Sequence, residues 1–343
     1  MTRAHPGHNK QLATLSKQLI THMTSKTSPI SAPPDPHQRK EPLPWQKPKP
    51  AEEDAGAPAS LEAILRSPSY RQADEDTEFL NLDVARATRL QLDYLKAESF
   101  LMKNGVERTI VVFGSTRIPE PSAAKRKVEN LRKAVAQDPV ARELQQELSI
   151  AERLLAKSRY YDVARELGRI VSTADNGSSR GRVVIMTGGG PGIMEAANRG
   201  AFDCDAKSVG LNISLPYEQF PNPYVSPELC FLFHYFAMRK LHFMSRAKAL
   251  VAFPGGYGTF DELFEALALI QTRKIKPLPI ILVGEEFWRQ AFDMDFLVAE
   301  GVIDAEDKDL FRFAESAADI WEGILRWYDE SGESLFSASR VAQ

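Results

Sequence analysis

The chain has 343 residues, of which 43% are hydrophobic and 26% charged, and a net charge of −3. Those values fit a globular chain with one large α/β domain or two ordinary ones, and they exclude collagen-like, fully disordered and disulfide-stapled classes. They also exclude whole-chain electrostatic binding of nucleic acid, and no run approaches the roughly 18 uncharged apolar residues of a membrane-spanning helix.

Charge is unevenly spread. Residues 1–50 carry eight Lys/Arg against Asp35 and Glu41, a balance of +6 that leaves −9 for the remainder, and nine of the 22 prolines fall between Pro29 and Pro58. Such a segment buries too little apolar surface to offset its ordering entropy. Residues 1–60 are therefore expected to be a disordered, basic, Pro-rich tail, with 61–343 a single nucleotide-binding domain. The first residues show no apolar core and cleavage site of a secretory leader, so none is expected. The two cysteines, Cys204 and Cys230, point to reduced thiols and a cytoplasmic location.

The stretch from Asp83 to Lys103 is dense in helix formers, with Val84, Leu92, Leu95 and Phe100 as its apolar contacts and Gly105 as its stop. Thr109–Phe113 reads as a buried strand running into Gly114-Ser115-Thr116. Residues 121–170, interrupted by Pro139, predict two or three helices. Val183–Thr187 is a second strand, and a helix is expected over Ile193–Phe202. Strand-like runs recur at Val209–Ser214, Leu229–Phe233, Ala249–Phe253 and Pro279–Val283. Strands separated by helices predict an α/β, Rossmann-like, doubly wound parallel sheet with extra N-terminal helices (61–105) and a helical insertion (121–170). A closing helix from Ala317 to Tyr328, with Ile320, Trp321 and Ile324, is expected to cover a sheet edge or a subunit contact.

Two glycine loops follow strands. The first is Gly188-Gly189-Gly190-Pro191-Gly192-Ile193-Met194; its glycines do not fit the G-x-G-x-x-G dinucleotide fingerprint. The second is Pro254-Gly255-Gly256-Tyr257-Gly258-Thr259-Phe260-Asp261-Glu262. Gly255, Gly256 and Gly258 can expose backbone donors at a helix N-terminus, a ready anion site, and Thr259 is expected to cap that helix. Asp261 and Glu262 are expected in its first turn, either as acids favoured there by the helix dipole or as carboxylates beside a phosphate cradle that face the sugar of a nucleotide. Between the loops, Arg239-Lys240 is either a solvated stripe or a ligand clamp.

Taken together, the 188–194 loop, Arg239-Lys240 and the 254–262 loop resemble the LOG ("lonely guy") family, in its long bacterial form, formerly labelled lysine decarboxylases. The resemblance runs from about Ile110 to Val283. It implies hydrolysis of the N-glycosidic bond of a nucleoside 5′-monophosphate, AMP or a broad range of bases, to free base and ribose 5-phosphate. It also implies a homodimer or larger homo-oligomer, and no metal or redox cofactor. Carried over residue by residue, the catalytic pair is Arg239 and Glu262. Ligand contacts fall at Gly189, Gly190, Gly192, Met194, Lys240, Gly255, Gly256, Gly258 and Thr259, with Glu218 a looser match. Ser115 and Arg117 are added from their position at the end of the first strand.

The alternative is a non-catalytic carrier of a nucleotide or phosphorylated cofactor on the same fold. No membrane or nucleic-acid partner is expected for the folded domain. No lysine stands out as a Schiff-base partner for pyridoxal phosphate, and the six histidines show no metal-ligand spacing.

Overall fold

The computed structural model describes residues 47–174, 182–216 and 220–336, in two compact units divided between Asp76 and Thr77. The first 46 residues of the expected tail lie outside the described residues. In the first unit, α1 (Ala57–Arg66) starts with Pro58 in its opening turn, buries no side chain and stops at extended Ser67. The Ser67 side chain then caps a 3-10 turn, Pro68–Tyr70.

The second unit opens with α2 (Thr77–Asn81) and α3 (Arg86–Lys103) and is built on seven parallel strands. In chain order these are β1 (Arg108–Phe113), β2 (Val183–Thr187), β3 (Ser208–Ile213), β4 (Cys230–Phe233), β5 (Ala247–Ala252), β6 (Ile280–Val283) and β7 (Arg312–Ala314). Across the sheet the order is β4-β3-β2-β1-β5-β6-β7. The central strand β1 is buried along its whole length, as a continuous apolar run between two helical layers requires. The three-residue β7 is too short and too polar to be read as a strand from sequence.

One layer holds α4 (Pro121–Gln137), α5 (Arg142–Lys157), α6 (Arg159–Thr173), α7 (Ile193–Phe202) and the closing α12 (Ala317–Ser331). The other holds α3, α8 (Phe236–Ser245), α9 (Tyr257–Gln271) and α10 (Glu285–Ala291); α11 (Met294–Ala299) lies in the connection to β7. The 121–170 segment thus forms three helices, with Pro139 between the first two. No helix among the described residues is long and apolar enough to cross a membrane.

Two sequence expectations are corrected here. Val84, Leu92, Leu95 and Phe100 are exposed; α3 instead packs through Ala97 and Leu101, because its inward face is set by the polar side chains that brace α8. Gly105 does end the helix, at φ +69°. The closing helix covers a sheet face rather than an edge, burying Ile320, Ile324 and Tyr328 in the core.

Helices α6 and α7 meet at Gly168 and Gly200. A Cβ on Gly200 collides with the Arg165 carbonyl and comes within 2.8 Å of the Gly168 Cα. The backbones touch because neither has a side chain. Gly200→Ala is therefore expected to cost about 2 kcal/mol or more, as overpacking against rigid backbone does, read as a lowered midpoint in chemical denaturation. An unchanged midpoint removes this contact from the folding argument.

Candidate active site

The chain runs outward from β1 to β4 and then returns to β5 on the other side of β1. Ligands on open α/β sheets bind at this kind of switch point, beyond the carboxyl ends of the strands. Here the three loops after β1, β2 and β5 are laced together. The Ser115 amide donates to the Pro254 carbonyl (3.0 Å), and the Ile193 amide donates to the Ser115 carbonyl (3.2 Å). Gly192, at the N-terminus of α7, has φ +72° and lies so close to the Ser115–Thr116 backbone that any side chain there collides.

A cleft of about 870 Å³ opens above these loops, lined by Ser115, Arg117, Gly188, Met194, Arg239 and Glu262 together with the first turns of α9. Phe236 and Tyr257 stand at its rim, Tyr257 96% exposed.

Arg239 reaches the cleft from α8, whose position is fixed from both ends by α3. The Asp93 carboxylate accepts the His234 and Tyr235 amides (2.8 and 2.9 Å) just before the helix begins. Beyond its last turn, Arg246 makes a two-pronged pair with Glu98 (2.9 and 2.6 Å) and donates from Nε to the Val106 carbonyl. Between them the buried His242 stacks on Tyr94. The Arg239 guanidinium donates from Nε to the Leu211 carbonyl (2.7 Å) and passes against Gly188, where a Cβ would lie within 2.9 Å of Met194 Sδ. Burial pushes it below arginine's ordinary range, opposed by Glu262 and Asp261; it stays charged.

Glu262 is 6% exposed, and its Oε1 lies 3.9 Å from Arg239 Nη1. That separation gives electrostatic attraction without a direct hydrogen bond, so both groups keep valences for a ligand. Burial pushes the Glu262 carboxyl up to about 7, against the pull of Arg239 and Lys240. A carboxyl that ionises near neutrality in a cleft has the properties of a general base.

The second glycine loop differs in detail from its sequence reading. Helix α9 starts at Tyr257 with Gly256 at the N-cap, and no side chain caps it. Thr259 is already inside the helix, its amide bonded to the Gly256 carbonyl (2.9 Å), and its buried side chain packs on Gly255. Asp261 and Glu262 accordingly sit in the second turn. The Tyr257 and Gly258 amides, at the first two positions of the helix, have no acceptor within it, and open space surrounds Gly256 and Gly258.

Not every expected ligand contact reaches the cleft wall. Gly189, Gly190, Gly192 and Gly255 shape the loops from behind. The Lys240 amine is held by Asp261 (2.8 Å) and Glu265 (3.2 Å) rather than aimed into the opening. Glu218 lies outside the described residues.

Sequence reading missed the polar cluster under the first loop. Asn198 Oδ1 accepts from Thr187 Oγ1 (2.7 Å) and from Asn222 Nδ2 (3.0 Å), and Asn222 Nδ2 also donates to the Gly190 carbonyl. Thr187 Oγ1 accepts the Gly189 amide, and Asn222 donates its own amide to Gly189 (2.8 Å). The available signal was asparagine at core positions: Asn212 interrupts the apolar run of β3, and Asn198 lies among the small buried residues of α7. Among the described residues no cluster of His, Cys, Asp and Glu could hold a metal ion.

A family model described as "Possible lysine decarboxylase" matches residues 194–324. That span includes Arg239, the 254–262 loop and Glu262, and begins just after the glycines of the first loop. A curated relative from Oryza sativa subsp. japonica, "Probable cytokinin riboside 5′-monophosphate phosphoribohydrolase LOG4", is 35% identical over 83 residues. These are 24% of this chain and 36% of the relative, so the chain spans about a third of that protein's length. The X-ray structure of TM1055, a structural genomics target, aligns with 64% of this chain and 99% of its own, at 21% identity and a TM-score of 0.37.

Gly258→Ala separates a structural from a ligand-binding role for the loop. Open space at Gly258 and the higher helix propensity of alanine predict a gain of about 0.5–1 kcal/mol in stability. The added methyl enters the cup, and ribose 5-phosphate binding by calorimetry should weaken. Unchanged affinity would place the anion elsewhere.

Proposed function

We propose, from the family-model match over residues 194–324 and the likeness to the Oryza sativa relative, that the protein is a LOG-type enzyme and hydrolyses the N-glycosidic bond of nucleoside 5′-monophosphates, yielding free base and ribose 5-phosphate. The observation that carries this reading is the buried Arg239–Glu262 pair, 3.9 Å apart, facing a cleft beside the N-terminus of α9. AMP is the representative substrate.

The free amides at the start of α9 and that helix's positive end bind the 5′-phosphate, which fixes the ribose at little reorganisation cost. Arg239, immobilised by the Leu211 carbonyl, holds phosphate or ribose oxygens and sets their distance from Glu262. As the C1′–N bond lengthens, the base departs with the bonding electrons and positive charge grows at C1′. Ionised Glu262 stabilises that charge and accepts a proton from the attacking water, whose oxygen bonds to C1′. The proton then leaves with the base nitrogen, so water divides between the two products. We place the protein in a homodimer or larger homo-oligomer; the exposed apolar side chains of Phe236 and Leu241 on α8 and Phe264 on α9 support that assembly.

The test is a panel of nucleoside monophosphates, the matching nucleosides and triphosphates, with chromatographic detection of free base. Release from monophosphates alone is the expected result; binding without release would favour the carrier. Glu262→Gln should keep nucleotide affinity and lose about 10² or more in turnover. Since the ionised form is the working one, kcat/KM for the wild type should rise with pH to a plateau, half-complete near 7. A flat profile between pH 5 and 9 would remove Glu262 as the base.

A further inference from the structure

Helix α9 carries three carboxylates within five residues, Asp261, Glu262 and Glu265, and α8 answers with Arg239 and Lys240. The two cations divide the work by geometry. Arg239 points into the cleft beside Glu262, whereas the Lys240 amine binds Asp261 at 2.8 Å and Glu265 at 3.2 Å with its side chain only 18% exposed. We propose that Lys240 is a positioning residue for the hydrolysis proposed above, offsetting part of the like charge that Asp261 and Glu265 would otherwise place beside Glu262.

Three observations support this role. Lys240 follows Arg239 and Asp261 precedes Glu262 in the chain, so the outer ion pair joins the same two helices as the inner one, at neighbouring positions. The lysine of the outer pair is sheltered, while Asp261 is 56% exposed; burial lowers the Lys240 amine, and its bonds to Asp261 and Glu265 more than reverse that, holding it above lysine's usual value. Glu262 feels all four neighbours, with Arg239 and Lys240 favouring its ionised form and Glu265 and Asp261 opposing it. Arg117, from the loop after β1, is the further charged side chain lining the cleft. A neighbouring opposite charge holds a carboxyl down by about a unit or more, so removing the lysine charge lets it rise. Lys240 is therefore an electrostatic shield, and the phosphate is left to Arg239 and the α9 amides.

The experiment compares kcat/KM for AMP against pH in the wild type, Lys240→Met, Lys240→Arg, Asp261→Asn/Glu265→Gln and the triple variant combining Lys240→Met with both carboxylate changes. The Glu262 carboxyl is also titrated by carbon NMR without substrate, its resonance assigned by absence from Glu262→Gln. The second ionisation of the AMP phosphate is common to every variant and drops out of the differences. Lys240→Met should move the acid limb and the carboxyl titration upward by about one pH unit. Lys240→Arg should leave both in place, the paired carboxylate change should move them down, and the triple variant should return them towards wild type. Unmoved titrations in Lys240→Met, or a shift that persists in the triple variant, overturn the proposal. If Lys240→Met does not fold, the paired carboxylate variant decides, since an unmoved titration there overturns it equally. If the carboxyl titrations move as stated while no AMP is cleaved, the shield stands and the hydrolytic reading falls.

Discussion

A guanidinium buried beside a carboxylate, without direct hydrogen bonding between them, is the constraint around which the site is arranged. An isolated buried charge is expensive. Arg239 is tolerated because Leu211 accepts one of its N–H groups and Glu262 faces another from 3.9 Å. Had the two carboxylate oxygens closed onto the guanidinium, the result would have been a satisfied structural pair with no valence for substrate. The gap leaves both groups incompletely satisfied and turned to the same opening. The surrounding architecture holds that gap. Helix α3 fixes α8 through Asp93 and Glu98, Gly188 lets the guanidinium pass, and the return of the chain from β4 to β5 brings α9 alongside.

Much of this was written in local sequence. The strands announce themselves because a sheet covered on both faces needs continuous apolar runs, and Ile110–Phe113 or Ala249–Ala252 admit little else. The two glycine loops were legible for a related reason. Gly192 at φ +72° and Gly258 in open space stand where a side chain is excluded either by backbone or by a prospective ligand. Arg239 and Glu262 were singled out by the resemblance that their surrounding motifs carry, and the fold brings them to one cleft from the helices that precede and follow β5 in the chain.

What escaped the sequence depends on contacts between distant segments. The apolar residues chosen for α3 turned out to be exposed because Ala97 and Leu101, together with Asp93 and Glu98, set the inward face; only the position of α8 decides that. The asparagine cluster joins β2, α7 and the segment before β4, so no local pattern reveals it. Thr259 looked like a cap because helix starts are inferred from residue type, whereas Gly256 bends the chain three residues earlier. Lys240 looked like a clamp beside Arg239, yet successive helical residues diverge by about 100°, and its amine meets the outer carboxylates of α9 instead.

The seat that prepares Glu262 also weighs on the fold. Its carboxyl holds a proton in the native state up to about pH 7, while the unfolded chain loses it near 4.5. The native state is thus favoured by this residue below pH 4.5 and loses that advantage progressively as alkalinity increases to 7, a swing on the order of 3 kcal/mol. In neutral solution the protein therefore carries a half-ionised carboxyl at its heart, and an apolar replacement there would remove this cost only by leaving buried Arg239 without its counter-charge. Stability is yielded at one carboxylate, the same one to which the proposed hydrolysis assigns the role of general base.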